Sequence, residues 1–404
     1  MRYDVCAAAP RAVNFVCCKL QKISRCKTSY LLRIANEFRI QRQFLLFTFY
    51  LLCGTILSSY QIEGATLFAH TKGATLTKYL HFNDADLQLA GSLIREGKLV
   101  AFPTETVYGL GANALDENAV LSTYSAKGRP GDNPLIVHVW CKQQIYDVAR
   151  EVNADAEKII DSVMPASITI VLPKKQIIPN CVTAGLDTVA IRMPKSAQAR
   201  KFLQYCQVPV TAPSANTSSR PSPTTWQAVK EDMDGKIDAI LCGDPCEVGI
   251  ESTVVDLCGQ TPLILRPGII TPQVLEKVLG KQVRVVTNPK EKVNSPGVRY
   301  KHYAPVVPMV LNLDGDKQKL LDFYRTQQAQ GNNPVLFVEH PEEFVGCNTH
   351  PMGTTDAEVA QNLFENLRYL EKHFGYIIAS FTSKTEFADS ILNRMIRSAS
   401  HNVL

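Results

Sequence analysis

Three polar segments lie next to short apolar runs and carry the side-chain types that bind small anionic ligands. They read FPTETVYGLGANA at 102–114, KGRPGDNPLIVHV at 127–139 and TAPSANTSSRPSPTTW at 211–226. The first combines hydroxyls with two glycines, the second has two cations, and the third is dense in Ser/Thr hydroxyls. Because ligands of α/β proteins bind where strands end, these segments predict binding positions.

The second of these segments has a backbone whose shape Pro130 and Pro134 restrict. Lys127 and Arg129 in such a loop suit phosphate oxygens, and an ordinary solvated loop is the alternative interpretation. His138 lies within an apolar strand pattern, where a histidine is more often part of the core than a ligand.

No familiar catalytic motif with a covalent nucleophile or a metal cage occurs in the chain. The sequence contains no G-x-x-x-x-G-K-[ST], G-x-S-x-G or H-E-x-x-H. Cys242, Cys246 and Cys258 are too irregularly spaced to predict a zinc site, so we expect reduced thiols and no bound metal. Catalysis would then depend on positioning and on charge stabilisation.

The composition is that of a globular protein long enough for two ordinary domains, with 404 residues, 45% hydrophobic and 20% charged. Residues 1–75 hold ten Lys/Arg against three Asp/Glu. The other 329 residues hold 33 against 35, a net charge of −2. This balance disfavours a nucleic-acid binder that works by bulk charge, although a local basic cleft is compatible with it.

The acid-poor N-terminal stretch contains a 14-residue apolar run, Phe44–Leu57. This run is short for a membrane span, which needs roughly 17 to 25 residues, and it lies too far from Met1 for a secretory signal. A transit segment, an interfacial helix and an extension outside the folded body remain open. We favour an extension at 1–76, transit-like or disordered.

From about Thr77, β-branched strands alternate with helices and Pro/Gly turns, which is typical of an α/β protein. Strands outnumber helices up to residue 286 and indicate a large mixed sheet. One helix there has Thr271 as N-cap, Pro272 at its first position and Gly280 after its end. After an irregular segment at 287–308, a βαβαβα alternation over 309–404 predicts a small parallel three-layer domain.

Six segments in order resemble the YrdC family: FPTETVYGLGANA, KGRPGDNPLIVHV, VAIRMP, PSANTSSRPSPT, GIESTVVD and LRPG. With SPGVRYKHYAP and the second domain, the chain resembles the two-domain members that make threonylcarbamoyl-AMP. The resemblance covers about residues 77–404. It implies a YrdC-like catalytic domain with a large twisted sheet at 77–286, a linker and lid at 287–308, and a Rossmann-like domain at 309–404.

The resemblance implies an L-threonylcarbamoyladenylate synthase, a nucleotidyltransferase that converts L-threonine, bicarbonate and ATP into threonylcarbamoyl-AMP, pyrophosphate and water. The product would pass to the machinery that transfers the threonylcarbamoyl group to tRNA. We expect Mg²⁺ to arrive with ATP, no tightly bound cofactor and no stable membrane span. The expected location is the cytoplasm, with mitochondria as the alternative through the N-terminal segment.

The family's substrate contacts also transfer to matching positions of this chain. For L-threonine these are Thr106, His138, Arg192, Ala212 and Ser252. For ATP they are Arg129, Asn133, Thr188, Ser214, Ser222, Arg266 and Tyr303, the last reaching over the nucleotide from the linker. Lys127 is also expected near the phosphates.

Two departures from the family pattern concern backbone shape. The chain reads PASIT at 165–169, where Pro-Gly-Pro-Leu-Thr is usual, and it has Ser219 where glycine is common. No implied contact residue is lost at either place.

Two other functions compete with this interpretation. A YrdC-like module that binds RNA without adenylation would need dispersed cations and stacking aromatics, whereas the body has a net charge of −2 and the whole chain has two tryptophans. Carbamoyl transfer of the hydrogenase-maturation kind would require zinc-finger-like and acylphosphatase-like parts, which this sequence lacks.

Overall fold

The computed structural model describes residues 76–286, 302–385 and 387–404. The predicted extension at 1–76 therefore lies outside the described residues except for Leu76, and so does the linker between residues 287 and 301. The described residues all belong to one compact unit. Within the part described, no helix is long and apolar enough to cross a membrane.

One large mixed sheet organises residues 76–286, in the strand order β1-β8-β2-β3-β7-β4-β6-β5-β9-β10-β11. Its strands within this range are β1 Lys78–Leu80, β2 Val100–Phe102, β3 Gly109–Asn113, β4 Ile136–His138, β5 Ile168–Pro173, β6 Thr188–Arg192, β7 Val210–Thr211, β8 Ala239–Leu241, β9 Thr253–Asp256, β10 Leu263–Arg266 and β11 Arg284–Val285. The sheet confirms the predicted fold class.

The central strands bring distant residues to one edge of this sheet. β4 and β6 are parallel, and their register sets His138 opposite Arg192 at the carboxyl ends of both strands. β7 runs antiparallel to β4, and Ala212 directly follows β7. The backbone N–H of Ala212 donates to the carbonyl of Ile136 at 3.0 Å, which places Ala212 beside β4. β9 and β10 are also antiparallel, which brings Ser252 beside Arg266.

Helices cover the sheet within the same range. They are α1 Asp84–Arg95, α2 Glu117–Lys127, α3 Lys142–Val148, α4 Ala154–Ser162, α5 Asn180–Thr183, α6 Ala197–Cys206, α7 Trp226–Met233 and α8 Pro272–Leu279. The last has the predicted ends, because Thr271 is its N-cap and Gly280 terminates it in the left-handed conformation at φ 71°.

Helix α2 was not predicted, and it changes the interpretation of Lys127. The segment ENAVLSTYSAK has no clear apolar stripe to reveal a helix, but Asp116 caps its first turn by accepting from the N–H groups of Asn118 and Ala119. Gly128 ends it with φ 60°. Lys127 is therefore the last helical residue and not part of a loop, which corrects the sequence interpretation.

The second domain contains a parallel four-stranded sheet of order β12-β15-β13-β14, as its fold class predicts. Its described strands are β12 Met309–Asn312, β13 Pro334–Val338, β14 Thr349–Pro351 and β15 Tyr376–Ser380, and its helices are α9 Lys317–Ala329, α10 Asp356–His373 and α11 Ala388–Ser398. Helix α9 packs on one face, and α10 and α11 pack on the other. The short strand β14 was not predicted.

Helix α10 contacts the first domain through a buried arginine. Arg368 donates to the carboxylate of Asp232 at 2.9 Å and to the backbone carbonyl of Pro221 at 2.6 Å. Nearby, Arg220 pairs with Glu371, and Lys372 lies 2.6 Å from Glu231. The second domain therefore holds one side of the Ser-rich segment 211–226.

Both departures from the family pattern lie at unusual backbone conformations. The PASIT segment begins with a cis peptide bond between Met164 and Pro165. Ser219 has φ 74°, in the left-handed region where glycine is favoured. Its carbonyl accepts from the N–H of Ala304 at 2.8 Å, which joins the Ser-rich segment to the described end of the linker before β12.

Candidate active site

A cleft with an internal cavity volume of about 70 Å³ lies at the carboxyl ends of β4, β6 and β10. Seven of the predicted contact residues line it: Arg129, His138, Arg192, Ala212, Ser214, Arg266 and Tyr303. The other lining residues are Val107, Pro134, Leu135, Ile136, Pro213, Glu251 and His302. One cleft thus unites residues expected to bind two different substrates.

On one side of the cleft, Arg192 is held by a carboxylate. Its Nη2 lies 2.7 Å from Oε1 of Glu105, and both side chains are buried. Glu105 also accepts from Oγ of Ser167 at 3.0 Å and from the N–H of Ser196 at 3.2 Å. Burial by itself would raise the pKa of Glu105, but the charge and hydrogen bond of Arg192 lower it to about 2.

The position of the Arg192 side chain leaves it able to bind an anion. Its Nε is buried and has no hydrogen-bond partner among the described residues. A buried donor without a partner is costly, so a ligand acceptor at this point would be stabilising. A substrate carboxylate is the matching group, because guanidinium and carboxylate form paired hydrogen bonds.

His138 lies beside Arg192 and is uncharged at neutral pH. Burial, and next the positive charge of Arg192, lower the pKa of His138 to about 3. Its Nδ1 is 3.2 Å from the carbonyl of Ile136, and its ring packs edge-on against Phe102 with 6.1 Å between ring centroids. The structure thus combines both interpretations of this histidine, since it is buried and also lines the cleft.

On the other side of the cleft, Arg266 joins the wall that contains Ser252. Its Nε donates to the carbonyl of Ser252 at 3.0 Å, and its Nη2 lies 3.2 Å from the hydroxyl oxygen of that serine. Burial lowers the pKa of Arg266 to about 10, so the guanidinium stays charged at neutral pH. A buried cation at this wall is suited to phosphate oxygens.

The loop after α2 supplies Arg129 and the adjacent Asn133. Nη2 of Arg129 donates to the carbonyl of Asn133 at 3.2 Å, so the cation folds back onto its own loop. The side-chain amide of Asn133 is buried, and neither of its polar atoms has a hydrogen-bond partner in the residues described. It lies directly before Pro134, which lines the cleft, and a ligand could complete its hydrogen bonds.

Lys127 contacts protein carbonyls. Its Nζ donates to the carbonyl of Ser214 at 2.5 Å and to that of Asn216 at 2.6 Å. The side chain is buried, and burial lowers the pKa of Lys127 well below its ordinary value. The ammonium therefore anchors the Ser-rich segment, and its expected place near the phosphates stays a prediction.

Tyr303 and His302 line the cleft from the described end of the linker, just before β12. The ring of Tyr303 packs on Phe364 of α10 with 5.1 Å between centroids. His302 is partly buried, its buried Nε2 has no partner in the ranges described, and desolvation lowers the pKa of His302 to about 4. The described end of the segment before β12 therefore reaches the cleft, and its role as a lid over the nucleotide stays a prediction.

Five predicted contacts are near the cleft or away from it rather than in its lining. Thr106 is buried beside Thr104, with 2.9 Å between their hydroxyl oxygens, and it precedes the lining residue Val107. Ser222 donates to Glu251 at 2.7 Å, and Ser252 and Asn133 adjoin lining residues. Thr188 begins β6, at the opposite end of that strand from Arg192. The substrate roles of these five residues, like those of the seven that line the cleft, remain predictions.

Four functional candidates were not singled out from the sequence: Glu105, Glu251, His302 and Arg394. The first three lie inside the quoted motifs, so their nearness to predicted contacts was the available signal. Arg394 is on α11 and pairs with Glu251, with 3.1 Å between Nε and Oε2. Nothing in the local sequence of a C-terminal helix indicates a contact with residue 251.

The site has no evident cage for a resident metal ion. Among the described residues, no cluster of three or more His, Cys, Asp or Glu side chains could hold one. The two carboxylates nearest the cleft, Glu105 and Glu251, are each paired with an arginine. These residues therefore do not fit a metal bound by the protein alone.

The sequence and the fold both match known proteins over most of their length. A family model for Sua5, YciO and YrdC, described as telomere recombination, matches residues 92–268. A model for the C-terminal domain of threonylcarbamoyl-AMP synthase matches residues 270–400. The threonylcarbamoyl-AMP synthase of Pyrococcus abyssi is 38% identical, in an alignment that covers 79% of this chain and 95% of that protein.

The chain belongs to the Sua5/YciO/YrdC family.

Further members of the Sua5/YciO/YrdC family agree with this assignment. The threonylcarbamoyl-AMP synthase of Bacillus subtilis is 38% identical, with 81% of this chain and 97% of that protein covered. The crystal structure of P. abyssi Sua5 complexed with L-threonine superposes with a TM-score of 0.77 at 36% identity, over 82% of this chain and 99% of that one. This chain therefore shares both domains of two-domain family members.

Proposed function

We propose that this protein is an L-threonylcarbamoyladenylate synthase. The amine of L-threonine and bicarbonate form a carbamate and water, and a carbamate oxygen then attacks the α-phosphorus of ATP and displaces pyrophosphate. The observation that carries the proposal is the union, in one cleft, of Arg192 and His138 on one side with Arg266 and Tyr303 on the other. Relatives similar over nearly their whole length bear the corresponding name.

The threonine side is built for a zwitterion. Arg192 offers a fixed cation to the carboxylate, and Glu105 prevents that guanidinium from turning away. His138 is uncharged, so it adds no repulsion toward the substrate ammonium and can accept or donate a hydrogen bond. P. abyssi Sua5 has been crystallised with L-threonine, which supports the same substrate here.

The nucleotide side is built for phosphates. Arg266 and Arg129 are cations at the cleft, and Ser214 adds a hydroxyl. The reaction needs no nucleophilic side chain, because the carbamate oxygen is the nucleophile. The protein holds the carbamate and the α-phosphorus in line and balances the charge of the leaving pyrophosphate. We expect Mg²⁺ to enter as part of the ATP substrate.

Tyr303 and His302 cover this side and restrict water, which would otherwise compete with the carbamate for the activated phosphate. An RNA-binding module without adenylation is the less favoured candidate. The cations Lys127, Arg192 and Arg266 are buried in or behind an enclosed cleft, whereas an RNA surface would display them to solvent.

The test is pyrophosphate release from Mg-ATP by the purified full chain. Release should require both L-threonine and bicarbonate, and omission of either should stop it. Pyrophosphate release that does not depend on L-threonine would overturn the assignment. Transfer of the product to tRNA by the downstream machinery is part of the proposal, and it is tested by adding that machinery with tRNA.

We also propose that the enzyme works in the cytoplasm, with mitochondria as the alternative. Mapping the N-terminus of the protein isolated from its native cells tests the alternative: a start near Thr77 would indicate that the acid-poor segment is removed.

A further inference from the structure

A fully buried arginine of the second domain lies directly behind the wall of the cleft. Arg394, on α11, has none of its surface exposed. Its Nε donates to Oε2 of Glu251 at 3.1 Å, and its Nη2 donates to the backbone carbonyl of the same residue at 3.0 Å. Glu251 precedes β9 and lines the cleft. This ion pair therefore connects the last helix of the chain to the site.

The same guanidinium holds a second segment of the cleft wall. Nη1 of Arg394 donates to the carbonyl of Pro267 at 2.5 Å. Pro267 directly follows Arg266, and Glu251 directly precedes Ser252. Since Arg266 and Ser252 are joined by hydrogen bonds of their own, one side chain fixes the backbone on both sides of that contact.

The hydrogen-bond chain continues into the Ser-rich segment. The other carboxylate oxygen of Glu251 accepts from Oγ of Ser222 at 2.7 Å. Burial would raise the pKa of Glu251, but the charges of Arg394 and Arg266 and the serine hydrogen bond lower it. The carboxylate is thus ionised, and it connects the segment before β9 with the Ser-rich segment and with α11.

We propose that Arg394 is a positioning residue for ATP. By neutralising Glu251, it keeps that buried carboxylate from competing with phosphate for Arg266, and it keeps Arg266 and Ser222 in register. The proposal rests on the proposed function. The role also explains why the second domain docks at this edge of the sheet, where the last helix can reach the site.

Removal of Arg394 has a specific expected effect. In Arg394→Met, Glu251 stays buried and charged without its main partner, and Arg266 becomes its nearest cation. The KM for ATP should rise about tenfold, the loss expected for one charged hydrogen bond, with a smaller change in the KM for L-threonine. Arg394→Lys keeps the positive charge but lacks the paired N–H donors of the guanidinium. Its KM for ATP should therefore lie between those of the parent chain and Arg394→Met. This variant preserves the test if Arg394→Met folds poorly.

The experiment measures the KM values for ATP and L-threonine in pyrophosphate release by the full chain, and the melting temperature of each variant. Lys372→Met is the matched control, because it removes an interdomain ion pair with Glu231 that lies outside the cleft. It should leave both KM values unchanged. A lower melting temperature with an unaltered KM for ATP in both Arg394 variants would mean that the residue is only structural.

A second variant tests the competition itself. Arg394→Met/Glu251→Gln removes the stranded charge, so the KM for ATP should recover toward that of the parent chain. A double variant no better than Arg394→Met would overturn the proposal. Calorimetric titration with a non-hydrolysable ATP analogue repeats the comparison without turnover. If the parent chain releases no threonine-dependent pyrophosphate, the proposed function fails, while this titration still decides the role of Arg394.

Discussion

Nη2 of Arg192 and Oε1 of Glu105 lie 2.7 Å apart in a buried ion pair at the carboxyl end of β6. The carboxylate belongs to the loop between β2 and β3, which is remote in sequence from β6. Because Ser167 and the N–H of Ser196 also donate to it, the carboxylate is held in place and in turn orients the guanidinium. The threonine side of the cleft depends on this pair.

Arg192→Ala should weaken L-threonine binding at least about tenfold more than ATP binding, because a charged hydrogen-bonding pair to the carboxylate is lost. Calorimetric titration with each ligand measures the two affinities separately. Equal losses for both ligands would mean that the role is misplaced.

The same substitution strands the carboxylate of Glu105, and loss of one partner of a buried pair costs about 3 to 5 kcal/mol of stability. Arg192→Ala/Glu105→Gln removes the stranded charge and serves as the control for folding. We expect its melting temperature to recover while the threonine defect remains.

Lys127→Met should lower the free energy of unfolding by about 2 kcal/mol, because it leaves the carbonyls of Ser214 and Asn216 without this buried donor. Urea unfolding measures the change, and Lys98→Met, at an exposed position, is the control. Unchanged stability with a raised KM for ATP would instead support the phosphate role predicted from sequence.

Stability should fall as the pH is lowered from about 6.5. The pKa of His138 is about 3 in the folded protein and about 6.5 when unfolded, so between these values only the unfolded chain takes up the proton. Each such group costs about 1.4 kcal/mol per pH unit below 6.5. His302, with a pKa of about 4, acts in the same direction, and Glu105 adds to the loss below about pH 4.5.

His138→Gln should therefore reduce the slope of the unfolding free energy against pH between pH 6.5 and 5. The reduction should correspond to about one proton fewer taken up on unfolding, and His302 should maintain part of the slope. Urea unfolding at several pH values measures the slope. His340→Gln, which removes an exposed histidine, is the control. Parallel curves for His138→Gln and the parent chain would contradict the assignment of a neutral buried imidazole.

Ser219→Gly should stabilise the protein by about 1 kcal/mol, because φ 74° strains a residue with a Cβ atom and suits glycine. Ser219→Ala keeps the Cβ atom and should give no such gain. Thermal unfolding compares the three chains. A gain for alanine equal to that for glycine would show that the hydroxyl, and not the backbone, is the source of strain.

Local structure was largely readable from the sequence. The ends of α8 follow from Thr271, Pro272 and Gly280, because capping and the left-handed terminus depend on residues next to one another in the chain. Apolar runs ending in polar residues identified β4 and β6, and with them His138 and Arg192. Helix α2 was missed because its apolar residues do not form a stripe. Helices α1, α3 and α5 and strands β1, β3 and β11 were not predicted either.

The sequence by itself determined the α/β class, the order of the motifs and half of the residues that line the cleft, since periodicity and family patterns report on local conformation and burial. Only the tertiary structure decided which group each buried charge meets. Lys127 contacts carbonyls beyond residue 213, Glu105 contacts Arg192, and Arg394 reaches Glu251 across the domain boundary. Those partners are chosen by how sheets and helices dock, and no local spacing encodes that docking.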